Sequence, residues 1–385
     1  MGFLYQPFIT YFHVMALFKR DPWILDIYRT YSGKNHLYIR GRALEDQPLK
    51  HYEQQTFYQT LRNTWRTFKT DEIRNASVGL TLPNGTQFET KADHEGYFLF
   101  DITVDADLED LSDDEGYLSL AVKFDEDNAA FAKAKKQKRL TTNSFKGETL
   151  IPPYTAVYGV ISDIDDTIMH TGVTSFLKIR VAFNTFFKNY DRRLPLKGAA
   201  SLYQLLHRGP SGNDQNPMFY LSNSPWNLYK YLEKFLDFHG FPKGPILLRD
   251  FPTPWDRTPK LKRPHKVHEL LNILKHYPDM NFILIGDSGE HDVDYYKDVA
   301  EQYPDRIMAI YLRSVNHDKK MARVKSIADS FTICPMLLVQ ESKEAVIHAR
   351  EMDGSFRLLS LIHKHDYTTS VNQLSGTIAF DKRQL

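Results

Sequence analysis

At 385 residues the chain is longer than one hydrophobic core comfortably organises, so two domains are expected. An apolar share of 42%, a charged share of 25% and a formal net charge of +1 describe an ordinary globular composition. They exclude bulk nucleic-acid binding, which brings a marked basic excess.

Residues 2–18, GFLYQPFITYFHVMALF, contain no Asp, Glu, Lys or Arg and include six Phe or Tyr. The stretch lacks the basic start and small-residue cleavage site of a secretory signal. It is also too short and too interrupted to span a bilayer. Two uses suit it: docking on the protein's own body or a dimer partner, or peripheral contact with a membrane interface, where aromatic rings are favoured. Residues 1–34 are therefore set apart as an aromatic N-terminal segment.

From 35 to 150 the pattern is short, alternating and rich in turns. HLYIRGRAL (36–44), ASVGLTL (76–82), TQFETKA (86–92), GYFLFDITV (96–104) and YLSLAVKF (117–124) read as strands. Pro83-Asn84-Gly85 and His94-Glu95-Gly96 supply turns between them. One helix is expected at 55–68, QTFYQTLRNTWRTF. Strands at this spacing predict a small β-sandwich domain. Eight acids between Asp101 and Glu115 lack the ligand spacing of an EF-hand loop, and five basic residues between Lys133 and Arg139 form a charged run. Both read as solvated faces or loops.

After Pro152-Pro153-Tyr154 the pattern changes. AVYGVIS (156–162), MFYL (218–221), NFILIG (281–286) and IMAIYL (307–312) are nearly continuous apolar runs. Between them lie helical stretches, AASLYQLLH (199–207), WNLYKYLEKFLDFH (226–239) and HKVHELLNILKHY (265–277). Uniformly apolar strands alternating with helices predict a parallel sheet covered on both faces, hence an α/β domain over 151–353. Residues 354–385 form a tail with one weak helical stretch, FRLLSLIHKH. The single cysteine, Cys334, lies among apolar neighbours as a small buried side chain. Alone, it excludes an intramolecular disulfide and a thiolate metal site, and it fits a reducing compartment.

Each apolar strand stops at something polar. The first runs into Ser162-Asp163-Ile164-Asp165-Asp166-Thr167, the second into Ser222-Asn223-Ser224, the third into Asp287-Ser288-Gly289-Glu290-His291-Asp292. Parallel strands bring these ends to one carboxyl edge, where ligands bind in open α/β sheets. If the backbone stays extended past the first strand, Asp163 and Asp165 face one cavity and Asp166 the other side. Asp287 and Asp292 add further carboxylates. An all-oxygen donor set favours Mg²⁺ over zinc, while His265-x-x-His268, on a lysine-rich helix start, is not read as a ligand pair.

A carboxylate that approaches a phosphate dianion meets two like charges, each costing about 4 kcal/mol at about 4 Å and an effective dielectric near 20. A nucleophile of that kind needs a divalent cation and a fixed positive group, for which Lys266 is the candidate. Ser222 and the amides after it suit a phosphoryl oxygen.

The order D-x-D-x-T, strand-end Ser, Lys, then G-D-x-x-x-x-D resembles the haloacid-dehalogenase superfamily. SDIDDTI (162–168), YLSNSPWNLY (220–229) and ILIGDSGEHD (283–292) are similar to the actin-patch phosphatidate phosphatase family, relatives of the lipins. YRTYSGKNHLYIRGRALED (28–46) and the Gly96-Tyr97-Phe98 turn are also similar to the N-terminal domain of bacterial members. The resemblance implies a haloacid-dehalogenase-like Rossmannoid domain preceded by the β-sandwich domain. It further implies a Mg²⁺-dependent phosphatase that hydrolyses phosphatidate to diacylglycerol and phosphate. In that reading Asp163 attacks phosphorus and Asp165 serves as acid and base. Asp163, Asp165 (through its backbone carbonyl), Asp287 and Asp292 (directly or through water) hold the metal. Ser222, Asn223 and Lys266 hold the substrate, with Thr167 bracing the loop or donating to the phosphate and Asp166 in a supporting place.

The lipid itself is not legible in the motifs. The insertion at 170–193, aromatic and basic, either forms a lid or acyl contact or packs on the sheet, and DRTPKLKRPHK (256–266) carries charge suited to anionic headgroups. A cytoplasmic protein, peripheral at a membrane and without a transmembrane segment, is the expectation. Two alternatives stand beside it: a soluble phosphomonoesterase of the same mechanism, and a non-enzymatic phospho-acceptor or scaffold module.

Overall fold

The computed structural model describes residues 22–45, 72–126, 129–137, 139–140, 142–169, 194–209, 211–249, 263–289, 291–314 and 318–351. The aromatic N-terminal stretch, the helix expected at 55–68, the insertion at 170–193, most of the 256–266 basic run and the tail lie outside the described residues. Contacts divide the chain into two units. One comprises Met1–Ile27, Arg40–Phe100 and Ser119–Gly147, the other Tyr28–Ile39, Asp101–Leu118 and Glu148–Leu385.

In the first unit, β1 (Trp23–Ile27) pairs antiparallel with the long β3 (His36–Glu45) along its part from Arg40 onward, Leu25 opposite Ala43, while His36–Ile39 belong to the second unit. The strand β6 (Tyr97–Thr103) continues that sheet, its residues from Asp101 onward belonging to the second unit. A second sheet holds β4 (Ser77–Thr81) antiparallel to both β5 (Gln87–Lys91) and β7 (Tyr117–Phe124). From Leu118 onward the side chains of β7 alternate, Leu118, Leu120, Val122 and Phe124 buried and Ser119, Ala121 and Lys123 exposed, the pattern of a sheet with one wet face. The Pro83-Asn84-Gly85 turn joins β4 to β5, with Gly85 at φ 86°. At Gly96, φ 80°, a Cβ would come within 2.5 Å of the Ala43 carbonyl, so the backbone approach itself requires glycine there.

The helix α1 (Ala129–Lys136) carries the basic run, and Lys133, Lys135 and Lys136 are exposed as expected. Arg139 departs from that expectation. It is buried, forms an ion pair with Glu45 and lies over the Trp23 ring, 5.5 Å from its centroid. Its long stem and flat guanidinium let it cover apolar surface while the charge is met.

The second unit holds the six-stranded parallel sheet. In chain order its strands are β9 (Gly159–Asp163), β10 (Met218–Pro225), β11 (Ile246–Arg249), β12 (Phe282–Asp287), β13 (Ile307–Arg313) and β14 (Met336–Val339). Their spatial order is β11-β10-β9-β12-β13-β14, so the winding reverses between β9 and β12. Every residue of β9 and β12 is buried, as continuous apolar runs require when both faces are covered. The connections are α2 (Ala199–Arg208), α3 (Tyr229–Phe238), α4 (His265–His276), α5 (Asp292–Gln302) and α6 (Asp318–Ser330), with α7 (Ser342–Glu351) after the last strand. The α4 helix packs on β10 and beside α5, and Leu270, Ile273, Val293 and Tyr296 join Ile161, Phe219, Leu284 and Ile310 in one core. Each such fully buried aliphatic side chain contributes about 1.5–3 kcal/mol.

The short strand β2 (Thr30–Tyr31) runs parallel to β8 (Phe145–Leu150), pairing Tyr31 with Leu150. Tyr31 is wholly buried, and the Asn272 amide donates to its hydroxyl at 2.7 Å. Arg29 and Lys243 both donate to Glu148, at 2.7 and 2.6 Å. Cys334 is buried, and that burial pushes its thiol up to about 11, the behaviour of a small core residue. No helix among the described residues is long and apolar enough to cross a membrane.

Candidate active site

The strand order reverses between β9 and β12, and in such sheets ligands bind at the carboxyl edge beside that point. The register pairs Ser162 with Ile285, so Asp163 and Asp287 leave adjacent strands within one residue of each other. On the other side Leu221 pairs with Asp163, and the Ile164 amide donates to the Leu221 carbonyl, which brings Ser222 alongside the loop. Local sequence thus places three polar strand ends together.

Past Asp163 the chain turns tightly. Ile164 is fully buried, Asp166 adopts φ 54°, and the Ile168 amide donates back to the Ile164 carbonyl. A left-handed residue suits Asp better than most side chains. The turn aims Thr167 at the nucleophile candidate, its Oγ1 donating to Asp163 Oδ2 at 3.2 Å.

Lys266, in the first turn of α4, is 1% exposed, with its Nζ 2.6 Å from Asp163 Oδ1 and 2.7 Å from Asp292 Oδ1. Asp163 and Asp292 are both completely buried. Asp292, the first residue of α5, also accepts from the Asp287 amide through Oδ2, at 3.4 Å. Asp287 Oδ1 accepts from the Gly289 amide at 3.0 Å. Ser222 Oγ donates to Asp165 Oδ2 at 2.6 Å and accepts from the Ser224 amide at 2.9 Å. Asn223 lies half-buried beside it.

The electrostatics follow from burial. Desolvation holds the Asp163 carboxyl well above the usual carboxylate range; Lys266 opposes this, while Asp292, Asp165 and Asp287 reinforce it. Among the described residues that meet here, four are carboxylates and one is an ammonium. That excess of buried negative charge, presented by oxygen donors, suits a hard divalent cation.

The structure therefore gathers Asp163, Asp165, Thr167, Ser222, Asn223, Lys266, Asp287 and Asp292 around one edge. Asp292 has both oxygens engaged, one by Lys266 and one by the Asp287 amide, so its position serves the ammonium as much as any ion.

Sequence reading overlooked Gly286. A Cβ there would lie 2.7 Å from Asp292 Oδ2 and 2.7 Å from Tyr296 Cε2, and Tyr296 is itself fixed by donating to the Ile285 carbonyl. A glycine directly before a strand-end Asp was the available signal. Gly286→Ala is expected to cost about 1–3 kcal/mol by overpacking. A thermal melt in chelator checks this, and an unchanged midpoint would mean that Asp292 and Tyr296 give way freely. Also overlooked were Ser162 and Tyr203, both buried and hydrogen-bonded to each other by their hydroxyls at the end of β9.

Residues 158–314 match the family model described as phosphatidate phosphatase APP1, catalytic domain. The chain is 38% identical over 169 residues to phosphatidate phosphatase APP1 of Saccharomyces cerevisiae, an alignment covering 43% of this chain and 28% of that protein. It is 29% identical over 160 residues to an uncharacterized protein of Schizosaccharomyces pombe, covering 41% of this chain and 25% of that one. The matched region spans only about a quarter of the length of these relatives.

Proposed function

We propose, from the match of residues 158–314 to the phosphatidate phosphatase APP1 catalytic-domain model, that this chain is an actin-patch-type phosphatidate phosphatase that hydrolyses phosphatidate to diacylglycerol and inorganic phosphate. The observation that carries the reading is the buried Asp163–Lys266–Asp292 cluster at the sheet's switch point, with Asp165 beside it under Ser222. We read the α/β unit as haloacid-dehalogenase-like, a reading supported by six strands in the order 3-2-1-4-5-6 when numbered within the sheet. The antiparallel sheets of the other unit are read as a small β-sandwich.

In the proposed reaction an Asp163 oxygen attacks phosphorus, forming an aspartyl-phosphate as the bond to the glycerol oxygen breaks. Asp165 delivers its proton to that leaving oxygen. It then takes a proton from water, which attacks phosphorus and releases phosphate from Asp163. Lys266 keeps Asp163 oriented and offsets the charge that builds on the phosphoryl oxygens. Ser222, held against Asp165, positions the acid and base, and Asn223 and Ser222 flank the phosphoryl group. Thr167 fixes the Asp163 rotamer. Asp163, the Asp165 carbonyl and Asp287, with Asp292 directly or through water, would hold Mg²⁺, which would supply neutralisation of the phosphoryl charge. The protein is read as cytoplasmic and peripheral at a membrane surface, with no nucleic-acid partner.

The test is phosphate release from phosphatidate in mixed micelles against a panel of soluble phosphomonoesters, with Mg²⁺ and with chelator. Expected are turnover that requires Mg²⁺, preference for phosphatidate, and a loss of about 10²–10⁴-fold in Asp165→Asn. Turnover of soluble esters alone would replace the lipid reading with the phosphomonoesterase one. Absence of release from every substrate would leave a phospho-acceptor or scaffold module.

A further inference from the structure

At the far end of α4 from Lys266 lies a second group of metal-ligand side chains. His276 closes that helix ten residues after Lys266, about 15 Å along its axis. His36 opens β3 and Asp101 lies in β6. One ligand atom from each of these three residues falls within 4.8 Å of the others.

The hydrogen bonds fix how His276 is protonated. Its Nδ1 lies 2.8 Å from the Asn272 carbonyl, which can only accept, so Nδ1 carries the proton. In the neutral ring Nε2 is then a bare lone pair, and it is buried with no hydrogen-bond partner among the described residues. Burial, with the nearby His36, holds this imidazole below its ordinary value, favouring the neutral ligand form. The ring is seated against Tyr31 and Tyr38, centroids 5.4 and 5.1 Å away.

His36 faces the same point. Its Nε2 is 2.6 Å from Asp101 Oδ1, and its Nδ1 is 3.3 Å from Thr103 Oγ1. With the proton on Nδ1, that nitrogen donates to Thr103 and frees Nε2 for a metal. A histidine whose second nitrogen is held by an oxygen is the usual outer support of a metal site.

We propose that His36 Nε2, His276 Nε2 and an Asp101 oxygen form a zinc site, with water as the fourth ligand. Two imidazoles and one carboxylate are borderline donors suited to Zn²⁺, in contrast to the all-oxygen set at the sheet edge. In tetrahedral zinc the ligand atoms stand about 3.3 Å apart, so the widest gap, no more than 4.8 Å, closes by at most about 1.5 Å, while His36 Nε2 and Asp101 Oδ1, now 2.6 Å apart, open slightly. Asp101 is exposed and His36 partly so, and these two side chains supply the movement while His276 stays seated. The bound ion would tie the starts of β3 and the ends of β6 and α4 within their unit, and it would give the buried His276 nitrogen a partner.

The test uses the full-length chain, free of any histidine tag, stripped with chelator and returned to excess Mg²⁺ so that the oxygen site is occupied. Zinc is then titrated against a chromogenic chelator and measured by mass spectrometry after desalting. Expected is one zinc per chain. Binding should fall more than about 100-fold in Asp101→Asn and in His276→Gln, beyond the 10–100-fold that a lost outer partner costs. Thr103→Val should lose about tenfold, and Asp163→Asn should retain zinc. Co²⁺ should give the intense visible absorption of a tetrahedral nitrogen-containing site. Asp101 is exposed, so its variant decides the matter even if His276→Gln fails to fold. No zinc retained by the native chain, or zinc retained undiminished by Asp101→Asn, would overturn the site and leave His36 and Asp101 as a simple ion pair. Neither result depends on phosphatase activity.

Discussion

Asp163→Asn is expected to slow Mg²⁺-dependent phosphate release from phosphatidate by at least about 10⁴-fold while leaving the chain as stable as the native protein, or more so. The first half follows from the nucleophilic role proposed for the side chain. An amide of the same shape is no nucleophile, and removing the group that forms the covalent bond typically removes nearly all of the catalysis beyond binding. The second half follows from its surroundings. Asp163 is completely buried, and desolvation together with Asp292, Asp165 and Asp287 disfavours its charged form, against the pull of Lys266. A neutral amide escapes that cost, and Lys266 keeps Asp292 as its partner. Turnover assays and thermal melts in chelator check both halves. The gain in melting temperature on adding Mg²⁺ should also shrink, because one carboxylate donor has become a weaker amide oxygen. Retention of turnover within tenfold of native would move the nucleophile elsewhere.

How much of this site could be read in the sequence depends on how local each cause is. The three polar strand ends were legible because apolar runs such as Val160–Ile161 and Ile283–Leu284 mark buried parallel strands. Parallel strands leave only one edge for Asp163, Ser222 and Asp287. The strands β11 and β14 were not legible: four residues each, ILLR and MLLV, carry no periodicity that separates them from helix or loop. β8 was hidden for another reason. Its sequence FKGETL contains Gly147 and two charges, and its apolar contacts come from tertiary neighbours such as Ile27 against Gly147. α5 did carry a signal at Val293, Tyr296, Val299 and Ala300, all buried, but the stripe is narrow among Asp, Lys and Glu. The grouping of 28–39 and 101–118 with the larger unit left no mark in composition, because it rests on pairings such as Tyr31 with Leu150. The engagement of Asp292 by Lys266 was equally invisible. It depends on α4 and α5 lying side by side, whereas spacing alone offers Asp292 only as another carboxylate.

That engagement leads to the second large effect. Lys266→Met keeps the length and apolar stem of the side chain and removes only the ammonium. In chelator it leaves Asp163 and Asp292, each fully buried, without the cation that meets both. Breaking a buried ion pair from one side costs about 3–5 kcal/mol, because the remaining charge must be neutralised or hydrated. For a chain of this size, at about 2.1 cal/mol/K of unfolding entropy per residue, that corresponds to a melting temperature lower by roughly 4–6 °C. Mg²⁺ should recover part of the loss, since a divalent ion beside Asp163 replaces some of the missing charge. The double variant Lys266→Met with Asp292→Asn should melt higher than Lys266→Met alone, since it removes one of the two stranded carboxylates and the sites share a partner. Catalysis behaves differently. Restored folding does not return the fixed charge that the proposed mechanism sets against the phosphoryl oxygens, so turnover should stay about 10²–10³-fold below native even in saturating Mg²⁺. The double variant thus separates the two duties of Lys266. Stability that recovers without activity assigns the ammonium to both folding and transition-state charge, whereas joint recovery would confine it to holding the carboxylates in place.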